Sequence, residues 1–577
     1  MNTMVLLSVG AILYTVVYFT YGRYLRDKKV KSNAVEVPSK RLYDGVDFIP
    51  TNKFVLFGHH FASIAGAAPI VGPAIALAWG WLPGILWIWF GNIIIGAVHD
   101  YLSLMSSVRY DGHSVQWIAG KVIKDRTGKL FSWFVFLVLI LIIAAFGAII
   151  GQLHVKQPEV PTVYLLTILI ALLFGFLLYK VKMNFKVATI IGVGLLALAI
   201  YAGNLFPIVA SYKVWMVVLF FYIIVASSLP VNVLLQPRDY LNSWLLIICL
   251  FIGAIALIFA FKTINVPAVT VFSAPVIAGV PTPFWPVIPL IIACGSLSGF
   301  HALVASGTTS KQLQSEKDGL FIGYGGMLTE GFLSTLVIAA IGSFGLSKVP
   351  AEHLGNLLES KVGFANNYLV AVGELGGPIG IFSHSYAAAV NAVFGFSYDF
   401  IVVLVSLWVA SFALTTLDTT NRIGRYTIAE IFEPLKGKHN KLYHFITNRW
   451  IASLVPAFLG ISLAWSGSWS VLWPAFGGAN QMLASVALIT ASAWVIREQK
   501  TSGSFVIIPA LFLWVTITAA IIWYLIYAIP AFYATNPLQS VILSLIMTAM
   551  LALNIILLYD YFMTSKKMGA PLNLKRG

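Results

Sequence analysis

Apolar runs long enough to cross a bilayer recur from one end of the chain to the other, separated by short polar segments. A hydrocarbon core of about 30 Å takes about 20 apolar residues per helix. Fifteen spans fit the pattern, at about 3–22, 54–80, 84–108, 130–151, 161–179, 187–207, 213–231, 240–261, 284–307, 321–346, 398–421, 450–466, 470–496, 505–528 and 538–562. The pattern predicts an all-α polytopic membrane protein of about 15 transmembrane helices. Two spans are interrupted. In the first, Gly66, Pro69, Gly72 and Pro73 cannot all sit in one regular helix, because proline lacks the amide donor and clashes with the preceding turn. In the second, the interruption is Cys294-Gly295-Ser296-Leu297-Ser298-Gly299. Irregular backbone at this depth must line a cavity or be covered by protein, since each unpaired backbone group costs several kcal/mol in hydrocarbon.

The polar segments assign sides. Loop 23–53 carries eight Lys/Arg, and with that loop inside, the opposite side holds only Lys156, Lys213, Lys262, Lys348 and Lys361 of the 36 basic residues. This positive-inside bias places the N-terminus outside and the C-terminus in the cytoplasm. It also explains the net charge of +15 without nucleic acid. At 59% hydrophobic and 10% charged, the chain is no ordinary soluble protein. The first span has no basic residue before it and no small-residue cleavage site after it, so it reads as a retained helix rather than a signal peptide. Cys249 and Cys294 lie in apolar spans and read as packing residues, too few for a thiolate cluster or a disulfide framework. Segment 114–123 reads as a short surface helix. The long external segment 347–397 reads as a partly buried loop over a vestibule, with 385–396 not counted as a span.

The two interrupted spans run in opposite directions. Each is followed by a glycine-rich span holding one acid, Asp100 or Glu330, and then by a long loop. A five-helix unit repeated upside down gives this order, and such inverted repeats with broken first helices mark secondary transporters. The chain then divides into residues 1–53 (extra helix and basic loop), 54–207 (first repeat), 208–283 (two intervening helices and an external loop), 284–496 (second repeat) and 497–577 (two helices and a basic tail).

Ionisable residues inside spans are expensive and should face the bundle interior. The substrate is expected between the two breaks, with freed backbone N–H groups at half-helix N-termini binding its carboxylate. The candidates there are His59, His60, Ser63, Gly66, Asp100, Gly295, Ser296, Ser298, Gly299, His301 and Glu330. A cation site is expected where the hydroxyls of Thr415 and Thr416 and the Phe412 carbonyl face unwound carbonyls near Ala62 and Ala65, with Asp418 close enough to attract a sodium ion or to carry a proton instead. Arg238 and Asp239, between two spans, read as an interfacial turn able to latch cytoplasmic loops. No histidine or acid pair has the spacing of a zinc-binding helix, so no metal or cofactor is expected beyond a bound sodium ion or proton. A channel would need a filter-like motif, and a membrane-embedded hydrolase or metalloenzyme would need a nucleophile or ligand set beyond the scattered histidines.

Several segments together carry a resemblance: Phe-Gly-His-His-Phe-Ala-Ser-Ile-Ala-Gly (57–66), Gly-Pro-Ala-Ile-Ala (72–76), His-Asp-Tyr (99–101), Leu-Leu-Gln-Pro-Arg-Asp-Tyr (234–240), Cys-Gly-Ser-Leu-Ser-Gly-Phe-His (294–301), Ser-Gly-Thr-Thr-Ser-Lys-Gln (306–312) and Thr-Leu-Asp-Thr-Thr-Asn-Arg (416–422). The chain resembles the bacterial carbon starvation A family, peptide transporters that also include pyruvate symporters, and looks like a short member of it. That family is similar to the amino acid–polyamine–cation superfamily. The resemblance implies a leucine-transporter-like 5+5 inverted repeat with extra helices. It also implies import of peptide or pyruvate across the cytoplasmic membrane during nutrient starvation, with the lipid bilayer and no nucleic acid as surroundings. Neither the residues nor the resemblance sets an oligomeric state.

Overall fold

The computed structural model describes residues 1–32, 36–231, 233–467 and 469–565. The expected basic tail beyond them, and Asn232 in the segment 228–243, lie outside the described residues. The described chain is almost wholly helical, apart from one antiparallel hairpin of Ser273–Ile277 and Val280–Pro283. Among the described residues, eleven helices are long and apolar enough to cross a membrane, or up to thirteen if each of two bent pairs is one span. Two expected spans fall outside that number. Tyr212–Ser228 has only 17 residues, and the span at 284–307 is divided into Phe284–Ile291 and Gly299–Gly307.

Both breaks sit where the glycines and prolines put them. Lys53–Ala65 starts on Asn52, whose side chain accepts from the Phe54 amide at 3.0 Å. It stops at Gly66, whose φ of 51° suits glycine and strains other residues. Ala68–Ala76 resumes with Pro69 in its first turn, where the missing amide donor costs nothing, and the two halves meet at a bend of 41°. The second break is wider. Residues 292–298 leave the helix altogether, and Gly295 has a φ of 84°.

The breaks touch through their backbones. A Cβ on Gly72 would stand 2.5 Å from the Ile291 carbonyl oxygen, and one on Gly295 would stand 2.0 Å from Ser334 Oγ. The Ser334 hydroxyl, on the helix Gly325–Ala340, in turn donates to the Pro69 carbonyl at 2.8 Å, so that helix packs against both breaks. Around them pack two long helices, Asp125–Lys156 and Tyr398–Ile431, which lie against each other.

The segment 347–397 departs from the loop expected of it. It holds three helices, Ala351–Glu359, Lys361–Glu374 and Gly377–Phe394. The last starts after Gly376 at φ 89° and packs against Ala68–Ala76, Leu235–Phe259 and Tyr398–Ile431. Its small residues and serines permit that close approach: Ser383 and Ser385 are fully buried, and Ser383 shares a hydrogen bond of 3.2 Å with Ser406. The expected short helix in the other long loop is present as Val115–Val122, capped by the Ser114 hydroxyl.

Candidate functional site

The exposed backbone of the second break is satisfied by three amide side chains. Asn480 donates to the Ala293 carbonyl at 2.8 Å, while its oxygen accepts from the Phe300 amide at 2.8 Å. Gln481 donates to the Leu297 carbonyl at 2.8 Å and to the Ala293 carbonyl at 3.1 Å. Asn92 donates to the Gly295 carbonyl at 2.8 Å and to the Met327 carbonyl at 2.7 Å. Ser298 shares a hydrogen bond with Asn480, and the Ser296 hydroxyl turns back to its own chain at the Ile292 carbonyl. Gly299 packs directly on the helix Trp469–Arg497: a Cβ there would lie 2.4 Å from the Asn480 carbonyl oxygen. Sequence reasoning passed over Asn92, Asn480 and Gln481. The available signal was two adjacent amides in the middle of an apolar span, a costly placement unless something needs them.

Asp100, His301 and Glu330, expected at the substrate site, do converge at this break. Asp100 takes His301 Nδ1 at 2.7 Å on one carboxylate oxygen and His99 Nδ1 at 2.7 Å on the other. Glu330 accepts from the Gly295 amide at 3.2 Å, and its second oxygen stands 3.4 Å from His301 Nε2. All four side chains are fully buried.

A second cluster gathers residues expected to do three different jobs. Arg238 donates to Asp239 at 2.7 Å, to Tyr222 at 2.5 Å and to Asp418. His59 Nδ1 meets the other Asp239 oxygen at 2.8 Å. Tyr222 also donates to Asp418 at 2.8 Å. Arg238, Asp239 and Asp418 are fully buried. This corrects the reading of Arg238 and Asp239 as an interfacial turn or latch. They open the helix Leu235–Phe259 inside the protein, because Asp418 and His59 supply the compensating charge and hydrogen bonding that make burial affordable.

Thr415 also differs from expectation. Its hydroxyl lies 3.0 Å from Asp239 and 3.0 Å from the Ser411 carbonyl of its own helix, two acceptors for its one proton that hold it away from the first break. Thr416 does reach that break, donating to the Ser63 carbonyl at 3.0 Å. Ala62, Ala65 and Phe412 are buried nearby. The Ser63 hydroxyl donates to the His59 carbonyl at 2.8 Å. His60 Nδ1 meets Thr309 at 2.8 Å, beside the 3.3 Å contact of His59 Nε2 with Thr308, so the paired histidines hold the end of Gly299–Gly307.

A cavity of about 500 Å³ opens on the face bearing Lys156 and Glu374. It reaches down to Val71 of the first interrupted helix, and Gly373–Gly380 forms one wall. An adjoining cleft of about 180 Å³ shares Gly373, Gly377, Pro378 and Trp469 with it and extends to Ile75 and Ile291, so the space touches both interrupted helices. The opposite face is fastened. Arg109 pairs with Glu316 at 2.6 Å, Tyr426 donates to Asp47 at 2.6 Å, and Gln116 donates to Glu430 at 2.8 Å. The backbone at Thr51 also bridges to Leu313.

The chain is similar in sequence to known proteins along most of its length. The profile of the carbon starvation protein CstA family matches residues 2–520. Peptide transporter CstA of Bacillus subtilis is 33% identical over 558 residues, covering 91% of this chain and 90% of that protein. Peptide transporter CstA of Campylobacter jejuni is 32% identical over 579 residues, covering 88% and 78%. Pyruvate/proton symporter BtsT of Escherichia coli is 31% identical over 614 residues, covering 91% and 81%. Among solved structures, a mutant manganese transporter of Eremococcus coleocola aligns over 91% of this chain and 99% of its own, with 12% identity and a TM-score of 0.47. With matches of this identity along nearly its whole length to relatives named as transporters, the chain belongs to the carbon starvation protein CstA family.

Proposed function

We propose that this protein is a secondary active transporter that imports small peptides across the cytoplasmic membrane, coupled to a cation, in the nutrient-starvation response that the family's description suggests. The observation that carries the reading is the meeting of two interrupted helices beneath a cavity of about 500 Å³, a size typical of small-ligand sites. Peptide is favoured because Lys156 and Glu374 set opposite charges at the mouth, which suits a zwitterion. The substrate carboxylate docks near the breaks, where half-helix N-termini favour anions.

The 5+5 inverted repeat is part of the proposal. Adding Tyr212–Ser228 and the divided span 284–307 to the thirteen spans reaches fifteen. The long helices Asp125–Lys156 and Tyr398–Ile431 take third place in their repeats, each after an interrupted helix, a second span and a long connecting segment with helices of its own, Val115–Val122 in one and Gly377–Phe394 among those in the other. The cavity then opens outside, the N-terminus is outside, and the fastened face is cytoplasmic. Gly373–Gly380 acts as an external lid. The coupling ion is a proton carried by the buried set His59, Asp239, Arg238 and Asp418, in which one Asp418 oxygen forms no hydrogen bond. Thr416 links this set to the first break.

Pyruvate/proton symport is the second reading, favoured by the name of the relative that is 31% identical over 91% of the chain. Uptake by membrane vesicles of labelled di- and tripeptides, measured against labelled pyruvate, separates the two. Saturable peptide uptake that excess pyruvate does not inhibit is expected. Pyruvate uptake without peptide uptake overturns the peptide reading in favour of the second.

A further inference from the structure

Cys294, His301 and Glu330 meet at the second break. Cys294 Sγ lies 3.9 Å from His301 Nε2, and Glu330 Oε2 lies 3.4 Å from the same nitrogen. The three donor atoms all fall within 4.8 Å of one another. A tetrahedral ion at about 2.3 Å from sulfur and about 2.0 Å from nitrogen and oxygen holds its ligand atoms about 3.5 Å apart. The observed spacing is therefore near what such an ion requires.

The surroundings are also arranged as a metal site needs them. His301 Nδ1 faces Asp100 at 2.7 Å, which places a ring proton on Nδ1 and leaves Nε2, the atom facing the thiol and the carboxylate, to act as a ligand in the neutral imidazole. This is the carboxylate–histidine pairing that orients metal-ligating imidazoles. Asp100 is itself fixed by His99, and Glu330 Oε1 by the Gly295 amide. Glu330 Oε2 is fully buried and forms no hydrogen bond, although it points at the same nitrogen. A buried acceptor left this way carries a desolvation cost that a cation removes. Among the described residues, no lysine or arginine forms an ion pair with Asp100 or Glu330.

We infer that Cys294, His301 and Glu330 bind a resident divalent cation of the borderline-soft class, zinc first, which pins the second break to the helix carrying Glu330. Thiolate, imidazole and carboxylate together suit zinc and disfavour magnesium or calcium. The thiol gives up its proton on binding, and the three protein ligands leave one coordination position open. The inference goes beyond the transport reading, and its test reads metal rather than uptake.

The full-length protein is purified in nanodiscs after exposure to zinc, and its metal content is measured by mass spectrometry. About one zinc per chain is expected for the wild type and for Cys249→Ser, the other buried cysteine, and less than about a tenth of that for Cys294→Ser. Reloading the wild type with cobalt should produce a thiolate-to-cobalt charge-transfer band in the near ultraviolet. Wild-type protein without zinc, or equal zinc in Cys294→Ser, overturns the inference. If Cys294→Ser does not insert, the wild-type cobalt spectrum decides alone, and absence of the band overturns it.

Discussion

At the scale of single residues, Gly66 and Arg238 show two ways a membrane protein uses an expensive position. Gly66 is a steric demand. A Cβ there would lie 2.7 Å from Thr416 Oγ1 and 2.8 Å from the Phe146 ring, at a φ that strains any L side chain. Gly66→Ala adds strain of about 1–3 kcal/mol at the first break. Because each 1.4 kcal/mol is about a factor of ten in an equilibrium, uptake in Gly66→Ala vesicles is expected to fall about tenfold with normal insertion. Unchanged uptake would show that the break tolerates a side chain. Arg238 is an electrostatic demand. Arg238→Met leaves Asp239 and Asp418 buried without their cation, which costs about 3–5 kcal/mol. Its thermal unfolding in detergent should come well below that of Asp418→Asn, which leaves Arg238 still paired with Asp239; equal midpoints would contradict this. The two positions were unequally legible. Glycine and proline declare a broken helix locally, so Gly66 was found. Arg238 was read as an interfacial turn because its partners Asp418 and Tyr222 lie on other helices, and a charged pair after Pro237 looks the same in either setting.

At the scale of elements, the second break is a stretch of open chain whose polar groups have been handed to a neighbouring helix. Asn480 and Gln481 serve the carbonyls of Ala293 and Leu297, so Asn480→Leu should leave the Phe300 amide without its partner and the Ala293 carbonyl with Gln481 alone. Each orphaned group costs about 1–3 kcal/mol. A clear drop in thermal stability together with lost uptake is expected, and a neutral Asn480→Leu would mean the break rearranges freely. These amides went unnoticed because they carry no charge, and an uncharged side chain in an apolar span attracts little attention. The segment 347–397 was judged correctly as structured but not as helical, since serines and alanines lower its hydropathy while permitting close packing. The structure also selects the probe position for its motion. Ser385 is buried, whereas Glu374 is exposed at the cavity wall. The labelling rate of a cysteine introduced by Glu374→Cys should fall when substrate is added, and a rate indifferent to substrate would make this segment a fixed wall.

At the scale of the whole molecule, a cavity on one face and fastened contacts on the other are what the proposed transport requires of one half of an alternating-access cycle. Opening the other face requires separating Arg109 from Glu316 and Tyr426 from Asp47, pairs with one end reaching the surface, whereas the Arg238 cluster is buried on every side. A proton carried within that cluster predicts uptake that ignores sodium, collapses with a protonophore and fails in Asp418→Asn. Uptake that fails in choline buffer would assign the role to sodium instead. Most of the spans were legible because each apolar run is a local signal, and eleven to thirteen helices long and apolar enough to cross a membrane stand among the described residues. The contact between the two breaks was not, because backbone meeting backbone at Gly72 and Ile291 leaves no trace in residue type beyond the glycine itself.

The central claim is that substrate crosses by alternating exposure of one site between two interrupted helices. Counterflow tests it most directly. Proteoliposomes loaded with an unlabelled dipeptide and diluted into labelled dipeptide should transiently accumulate label above its external concentration, and Gly66→Ala proteoliposomes should do so about tenfold more slowly. Label that only equilibrates would contradict the account, because a channel cannot exchange substrate against a gradient.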